Sequence, residues 1–343
     1  MDIASIVNEI RRTVVLHPNY ELTLSRLFNQ CSLAQPGTVI TLVGPTRVGK
    51  TMISHRLEEM LAGPSSEHEQ SMPVVRIEAA TTDRGFISTR YLTLQMLRAL
   101  QHPFHADGTY IVRVRDPESD LRIKLLSSLK HRRTRFIIID EAHHLLRTKN
   151  SRVTESVLDA MKCLGNESKC VIIFIGGYEL AKYQYVSAHL DGRLNSIEFS
   201  NYGMDRKGID GFDRLLVTLD RMLPWTEGES LLKHRDVIYE GSAGCYGQLV
   251  HWSIAALAEM SANGAKKLRL KHYRATRRIS QVQAIKDDIT RGKKMMEDFD
   301  NLAIQSDGAG DAEVGRKPAR KRRPFQRKPK RDPVGAEQGE GHG

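Results

Sequence analysis

The amino-acid sequence predicts an α/β fold: a parallel five-stranded sheet sandwiched by helices, then a small helical domain and a basic tail. Short, β-branched apolar runs alternate with helix-spaced segments, which implies right-handed strand-helix-strand crossovers and a parallel sheet. The first three runs are near-continuously apolar, as burial on both faces demands. Beyond about Met204 the strand signals stop while helical spacing continues, which marks the helical part.

Taken in order, strands are expected at residues 39–43, 74–77, 136–139, 171–175 and 196–199, each bounded by Gly, Pro or polar clusters. Helical spacing fills the intervals at 51–61, 88–100, 119–130 and 153–164. Residues 211–222, 231–239 and 247–261 read as helices around turns at Pro224 and 241–244. Residues 275–302 combine helix formers with alternating charge, so an exposed terminal helix that packs on a neighbour is expected. From Gln305 onward Gly, Pro and charge dominate, too few apolar groups remain to offset chain entropy, and disorder is the expectation. The expected organisation is an N-terminal helical segment (1–35), an αβα core (36–203), a helical lid (204–274), a C-terminal helix (275–304) and a disordered basic tail (305–343).

With 343 residues, 40% hydrophobic and 27% charged, the chain has the composition of a globular protein, not of a collagen, a disulfide scaffold or a wholly disordered chain. It holds no apolar run near the roughly 20 residues that span a bilayer, nor an early apolar core of the signal-peptide kind, so no membrane partner and a cytoplasmic location are expected. Cys31, Cys163, Cys170 and Cys245 lack metal-binding spacing and read as separately packed thiols. The net charge of +11 is concentrated: residues 314–331 hold ten Lys or Arg and no acid. Such a surplus points to a polyanionic partner, or serves solubility alone.

The chemistry starts at Gly44-Pro45-Thr46-Arg47-Val48-Gly49-Lys50-Thr51, a G-x-x-x-x-G-K-T between a predicted strand and a predicted helix. Its glycines let the backbone turn tightly enough for N–H groups and a helix N-terminus to face phosphate oxygens. Lys50 would reach the β and γ phosphates, and the Thr51 hydroxyl would bind Mg²⁺. Further on, the run 136–139 ends in Asp140-Glu141. The carboxyl edge of a parallel strand faces the same crevice as such a loop. Asp140 would then hold Mg²⁺ through water and Glu141 would orient the attacking water.

Asp140-Glu141-Ala142-His143 also spells the box of the DEAH helicases, but those enzymes need two such sheets in tandem and the sequence holds one loop and one acid pair. His143 and His144 read as the first turn of a helix, at the surface or near the nucleotide. The strand after the acid pair should insert beside the loop strand and end in a polar γ-phosphate sensor; here that edge reads Gly176-Gly177-Tyr178. Arg193, ahead of the fifth strand, stands where an arginine finger would reach a neighbouring subunit's nucleotide, or else it is a surface arginine paired with Asp191 or Glu198.

On these residues the chain resembles the P-loop NTPases of the AAA+ class and, within them, the TniB/TnsC family of transposition regulators, relatives of the phage protein MuB. The resemblance covers roughly 14–258. It rests on Val15-Leu16-His17-Pro18, on Leu42-Val43-Gly44-Pro45-Thr46, on Pro73-Val74-Val75-Arg76-Ile77-Glu78, and on Asp120-Leu121-Arg122 ahead of Ile138-Ile139-Asp140-Glu141-Ala142-His143-His144-Leu145-Leu146. The phosphate loop is generic, and the last stretch is the more family-specific.

The resemblance implies an ATP- and Mg²⁺-dependent matchmaker that oligomerises as a ring or helical filament on duplex DNA, links a TniQ-like target-selection protein to the transposase, and disassembles on hydrolysis. It carries over Lys50 and Thr51 for phosphate and metal, Asp140 and Glu141 for metal and water, Arg193 across a subunit interface, and His17 and Pro18 for the adenine side. Two departures stand out: Gly177 or Tyr178 replaces the polar sensor, and Gly247-Gln248 occupies the place of a lid arginine. Both fit a slow timer. Two other readings share the core: an ATPase subunit of a secretion or envelope-assembly system, and a DNA-binding scaffold without hydrolysis.

For duplex DNA, backbone contacts are expected from Arg84 and Arg90, Arg113 and Arg115, Arg122 and Lys124, and the basic stretch 130–135, although any of these can be a solvated helix face. The tail, with Arg320, Lys321, Arg322 and Arg323 at its centre and Pro318, Pro324 and Pro329 keeping it extended, is expected to tether DNA, dock on an acidic partner surface, or keep the chain soluble.

Overall fold

A computed structural model of the chain describes residues 3–12, 17–63, 70–79, 87–105, 117–146, 151–182 and 194–308, with their side chains except at 12, 151–156, 182, 194–195 and 299–308. Five strands form one sheet: β1 (Val39–Val43), β2 (Val74–Glu78), β3 (Phe136–Asp140), β4 (Val171–Gly176) and β5 (Leu194–Glu198). Their spatial order is β2-β3-β4-β1-β5 and every pairing is parallel. The strand that follows the acid pair therefore inserts between it and the strand that feeds the loop.

All residues of β1, β3 and β4 are buried, because helices cover both faces of these central strands. Alternate side chains serve different layers. Ile137, Ile139, Ile172 and Phe174 pack with α4 (Thr89–Ala99), α5 (Glu118–His131) and α6 (Ser151–Ser168). Ile40, Leu42, Ile138, Ile173 and Ile175 pack with α2 (Pro18–Leu33) and α3 (Lys50–Ala62). A second apolar cluster joins α7 (Arg206–Asp220), α8 (Arg235–Ser242), α9 (Tyr246–Ala262) and α10 (Leu270–Thr276), and it takes Ile6 and Ile10 from α1 (Ile3–Arg12). Trp252 anchors this cluster by donating its indole N–H to the Tyr273 carbonyl at 2.9 Å. A Cβ at position 241 would run into the Trp252 ring, so the close approach of α8 requires Gly241.

Two expectations, on the fifth strand and on the last helix, are corrected. The fifth strand begins at Leu194 and ends at Glu198, although the Phe199 amide still bonds the Val43 carbonyl at 2.8 Å. His143 and His144 lie, as expected, in the first turn of a helix, which is a short one of 3₁₀ type, Ala142–Leu146. The last helix, α11, spans Ile279–Gly308, continues past Gln305, and is separated from α10 by 277–278. It is not a simply exposed rod, for Val282, Ile285 and Ile289 are buried within this chain, the latter two beside Ala243 and Cys245. The alternating charges conceal this apolar stripe. The chain divides into two units, Met1–Asp298 and Phe299–Gly343. No helix among the described residues is long and apolar enough to cross a membrane.

Ile285→Ala should lower stability by about 2–5 kcal/mol through lost burial and a residual cavity, whereas Ile279→Ala, at an exposed position, should stay within about 0.5 kcal/mol. Urea unfolding monitored by circular dichroism reads both, and equal midpoints for the two variants would contradict the packing of α11 on the chain.

Candidate functional site

The parallel register sets the site. Val43 pairs with Gly176 and Glu198, and Ile139 pairs with Phe174, so the exits of β1, β4 and β3 share one edge with the loop and the acids separated by a single strand. Neighbouring strands lie roughly 4.8 Å apart, which puts β1 and β3 about 10 Å from each other.

The loop's shape is fixed locally. A Cβ at Gly44 would clash with the Phe199 carbonyl oxygen, and Gly49 has a φ of 114°. Val48 is buried and fastens the loop to the core, while Arg47 adopts a positive φ of 66°. Lys50 opens α3 and is buried, its ammonium donating to the Gly44 and Pro45 carbonyls at 2.9 and 2.8 Å. Burial pushes the Lys50 pKa down, opposed by the fields of Glu141, Asp288 and Asp140. Thr51, the next residue, is exposed.

Across β4, Asp140 is buried and accepts the Glu141 amide at 2.8 Å. Burial raises its pKa, and that backbone bond lowers it. Glu141 has a φ of 52°, a conformation that costs a non-glycine residue about 1 kcal/mol or more and that concentrates at functional sites. The Glu141 carboxylate lies 3.1 Å from Nδ1 of His143. Ligand atoms of Glu141, His143 and His144 all fall within 4.8 Å of one another.

The sequence profile of the bacterial TniB proteins matches residues 12–204, more than half of the 343-residue chain. The chain belongs to the bacterial TniB family. Among solved structures, the fold resembles Cdc6p of Pyrobaculum aerophilum, with a TM-score of 0.53 at 16% identity over 80% of this chain and 70% of that one. It also resembles the Aeropyrum pernix ORC2 protein in its ADPNP-ADP complexes, with a TM-score of 0.50 at 13% identity over 75% of this chain and 65% of that one. The chain thus spans just under two thirds of the ORC2 protein's length. These likenesses concern the fold, which is that of an AAA+ P-loop protein. No curated protein matches the sequence.

The TniB core brings His17 to the other side of the loop. His17 caps α2, is buried, and stacks on Phe199 with centroids 6.1 Å apart and tilts against Tyr246 at 5.2 Å. Those same two rings are the nearest neighbours of a Cβ placed at Gly49. The Nδ1 of His17 faces the Tyr202 hydroxyl at 2.6 Å and the Tyr20 amide at 3.3 Å, which leaves Nε2 buried without a partner among the described residues. Pro18 starts α2 at a position that needs no amide donor. At the expected lid-arginine position, Gln248 instead donates its amide to the Arg47 carbonyl at 3.1 Å, and a Cβ at Gly247 would lie 2.7 Å from that oxygen.

Some of the DNA candidates lie among the described residues. Arg122 is committed to α6, with Glu167 at 3.2 Å and the Ala160 carbonyl at 3.3 Å. Lys124 stands two positions along the same helix, hence on a different face. Arg84, Arg113, Arg115, Arg193, Arg320, Lys321, Arg322 and Arg323 lie outside the described residues. Sequence reasoning missed three participants: the His143 contact to Glu141, the 2.7 Å bond from the Tyr178 hydroxyl to Glu198, and Asp288 beside the loop. The one legible trace of the last is Gly292, a glycine inside a helical run, which signals close approach.

Burial lowers the His17 pKa from 6.5 to about 4. Above pH 6.5 the ring is neutral folded or unfolded; between 6.5 and 4 the unfolded chain takes up the proton and the folded one does not, so stability falls with pH. His17→Asn keeps a capping oxygen and should remove this dependence, on the order of 3 kcal/mol by pH 4. Urea midpoints of both proteins from pH 7 to 4 check it, and parallel curves would exclude His17 as the source.

Proposed function

We propose that the chain is an ATP-hydrolysing, DNA-bound regulator of transposition that oligomerises on duplex DNA, links a TniQ-like target selector to the transposase, and leaves DNA on hydrolysis. One observation carries the nucleotide part: the phosphate-cradling loop and the Asp140-Glu141 pair open onto the same sheet edge with only β4 between them. Membership in the TniB family supports the link to transposition.

The residues present suit an adenine nucleotide and a divalent cation. A buried cation turned onto its own loop carbonyls offers its donors to phosphate oxygens. Thr51 and Asp140 are oxygen ligands of the kind Mg²⁺ takes, and Mg²⁺ there would offset the negative charge of the phosphates. The unpartnered Nε2 of His17, in an aromatic recess beside Gly49, suits a purine. Glu141, half-exposed and held by His143, is the base that orients water at the terminal phosphate. Arg193 of a neighbouring copy would supply charge from across the interface, and the tail's Arg320 to Arg323 cluster would add backbone contacts to DNA. We assign the lid to residues 204–274 and the αβα core to 36–203 on the same reading.

Lys50→Ala should weaken ATP binding roughly tenfold to a hundredfold, since charge-assisted bonds are worth about 1.5–3 kcal/mol, and should abolish ATP-dependent retention on DNA. Glu141→Gln should bind ATP normally while turnover falls about 10²–10⁴-fold, so its complexes on DNA should outlast the wild type's. Nucleotide titration and filter binding to duplex DNA measure both. Equal DNA retention with and without ATP in the wild type would overturn the coupling.

A further inference from the structure

The contact at the phosphate loop that the reading above does not use comes from α11. Asp288, itself partly exposed, stands three residues after the buried Ile285 and four before Gly292, at the border of the apolar stripe of that helix. Its carboxylate accepts the backbone N–H of Thr46 at 2.8 Å. Thr46 is the third residue of the loop whose amides cradle phosphate oxygens. The Asp288 charge also acts on Lys50 together with those of Glu141 and Asp140, and it acts on the Tyr178 hydroxyl, so it lies on the catalytic side of the loop rather than the His17 side.

The helix is seated there by shape. A Cβ at Gly292 would run into the Tyr178 ring, so glycine is what allows α11 to lie flush on the end of β4. Met296, one turn on, packs against the core cluster that includes Leu145 and Tyr178. Behind Asp288, Ile285 and Ile289 are packed with Ala243 and Cys245 of the helical domain. The helix thus passes from the helical domain, over the loop, to the core beside the acid pair. Tyr178, at the position where a polar γ-phosphate sensor was expected, is the surface on which α11 rests.

We propose that α11 is an autoinhibitory strap in which the Asp288 carboxylate occupies an amide of the phosphate loop, so that strap docking and nucleotide binding oppose each other. A carboxylate and a phosphate cannot share the loop's N–H donors beside a single buried ammonium without strong repulsion, and those donors face the phosphates that ATP and ADP have in common. The strap therefore opposes both nucleotides. It rests on the nucleotide reading of this site and adds to it a moving part.

The test uses the full chain with ATP and ADP as probes. Asp288→Asn keeps the shape and removes the charge, and it should tighten ATP and ADP each at least about tenfold. Gly292→Leu leaves every charge in place and lifts the helix from Tyr178, and it should tighten both nucleotides as well. In the wild type, hydrogen exchange across 279–298 should accelerate when either nucleotide binds. Unchanged affinities in both variants, or exchange unaltered by saturating nucleotide, would overturn the strap while leaving the nucleotide site standing. Failure of the wild type and both variants to bind either nucleotide would overturn both readings together.

Discussion

A single buried cation organises the site. Lys50 is 8% exposed, and an ammonium removed from water costs several kcal/mol unless donors and charges around it are matched. The match comes from different parts of the chain: the carbonyls of Gly44 and Pro45 from the loop itself, Asp140 and Glu141 from the end of β3, and Asp288 from α11. The loop and the β3 acids can face each other only because β1, β4 and β3 run parallel and in register, so that their carboxyl ends rise to one edge. The sheet is thus the means by which a lysine and two acids, distant in sequence, come to one crevice, and α11 brings the third.

The same crevice stores backbone strain. Arg47 and Glu141 adopt positive φ on either side of β4, and neither is glycine. At Glu141 the distortion frees the amide to bond Asp140 and brings the carboxylate to His143. The buried runs of β1, β3 and β4 over-determine these turns and hold them in place.

Much of this was legible in the sequence, for physical reasons that also mark where legibility ends. Strands covered on both faces must be apolar throughout, so β1, β3 and β4 announce themselves as runs, and the glycine-bracketed loop and the acid pair announce their ends. β5 was displaced because Leu194 and Asn195 do not continue an apolar run. The role of α11 was hidden, since its buried stripe is narrow within a 30-residue helix whose other faces are charged. Nothing in the order of residues distinguishes Asp288 from Asp287, yet one meets the loop amide and the other faces solvent. The His143 contact was invisible for a similar reason, as it depends on the 3₁₀ turn and on the strained φ of Glu141.

The junction between the helical domain and the phosphate loop is made of main-chain atoms: the Gln248 amide on the Arg47 carbonyl, with Gly247 allowing the approach. An arginine in that role would transmit motion through a long, rotatable side chain, whose loss severs the linkage. A peptide-to-peptide joint has no such weak point. The exposed side chain at 47 is free to drift over evolutionary time without uncoupling the two parts, whereas the bare backbone at 247 is held to a single residue type.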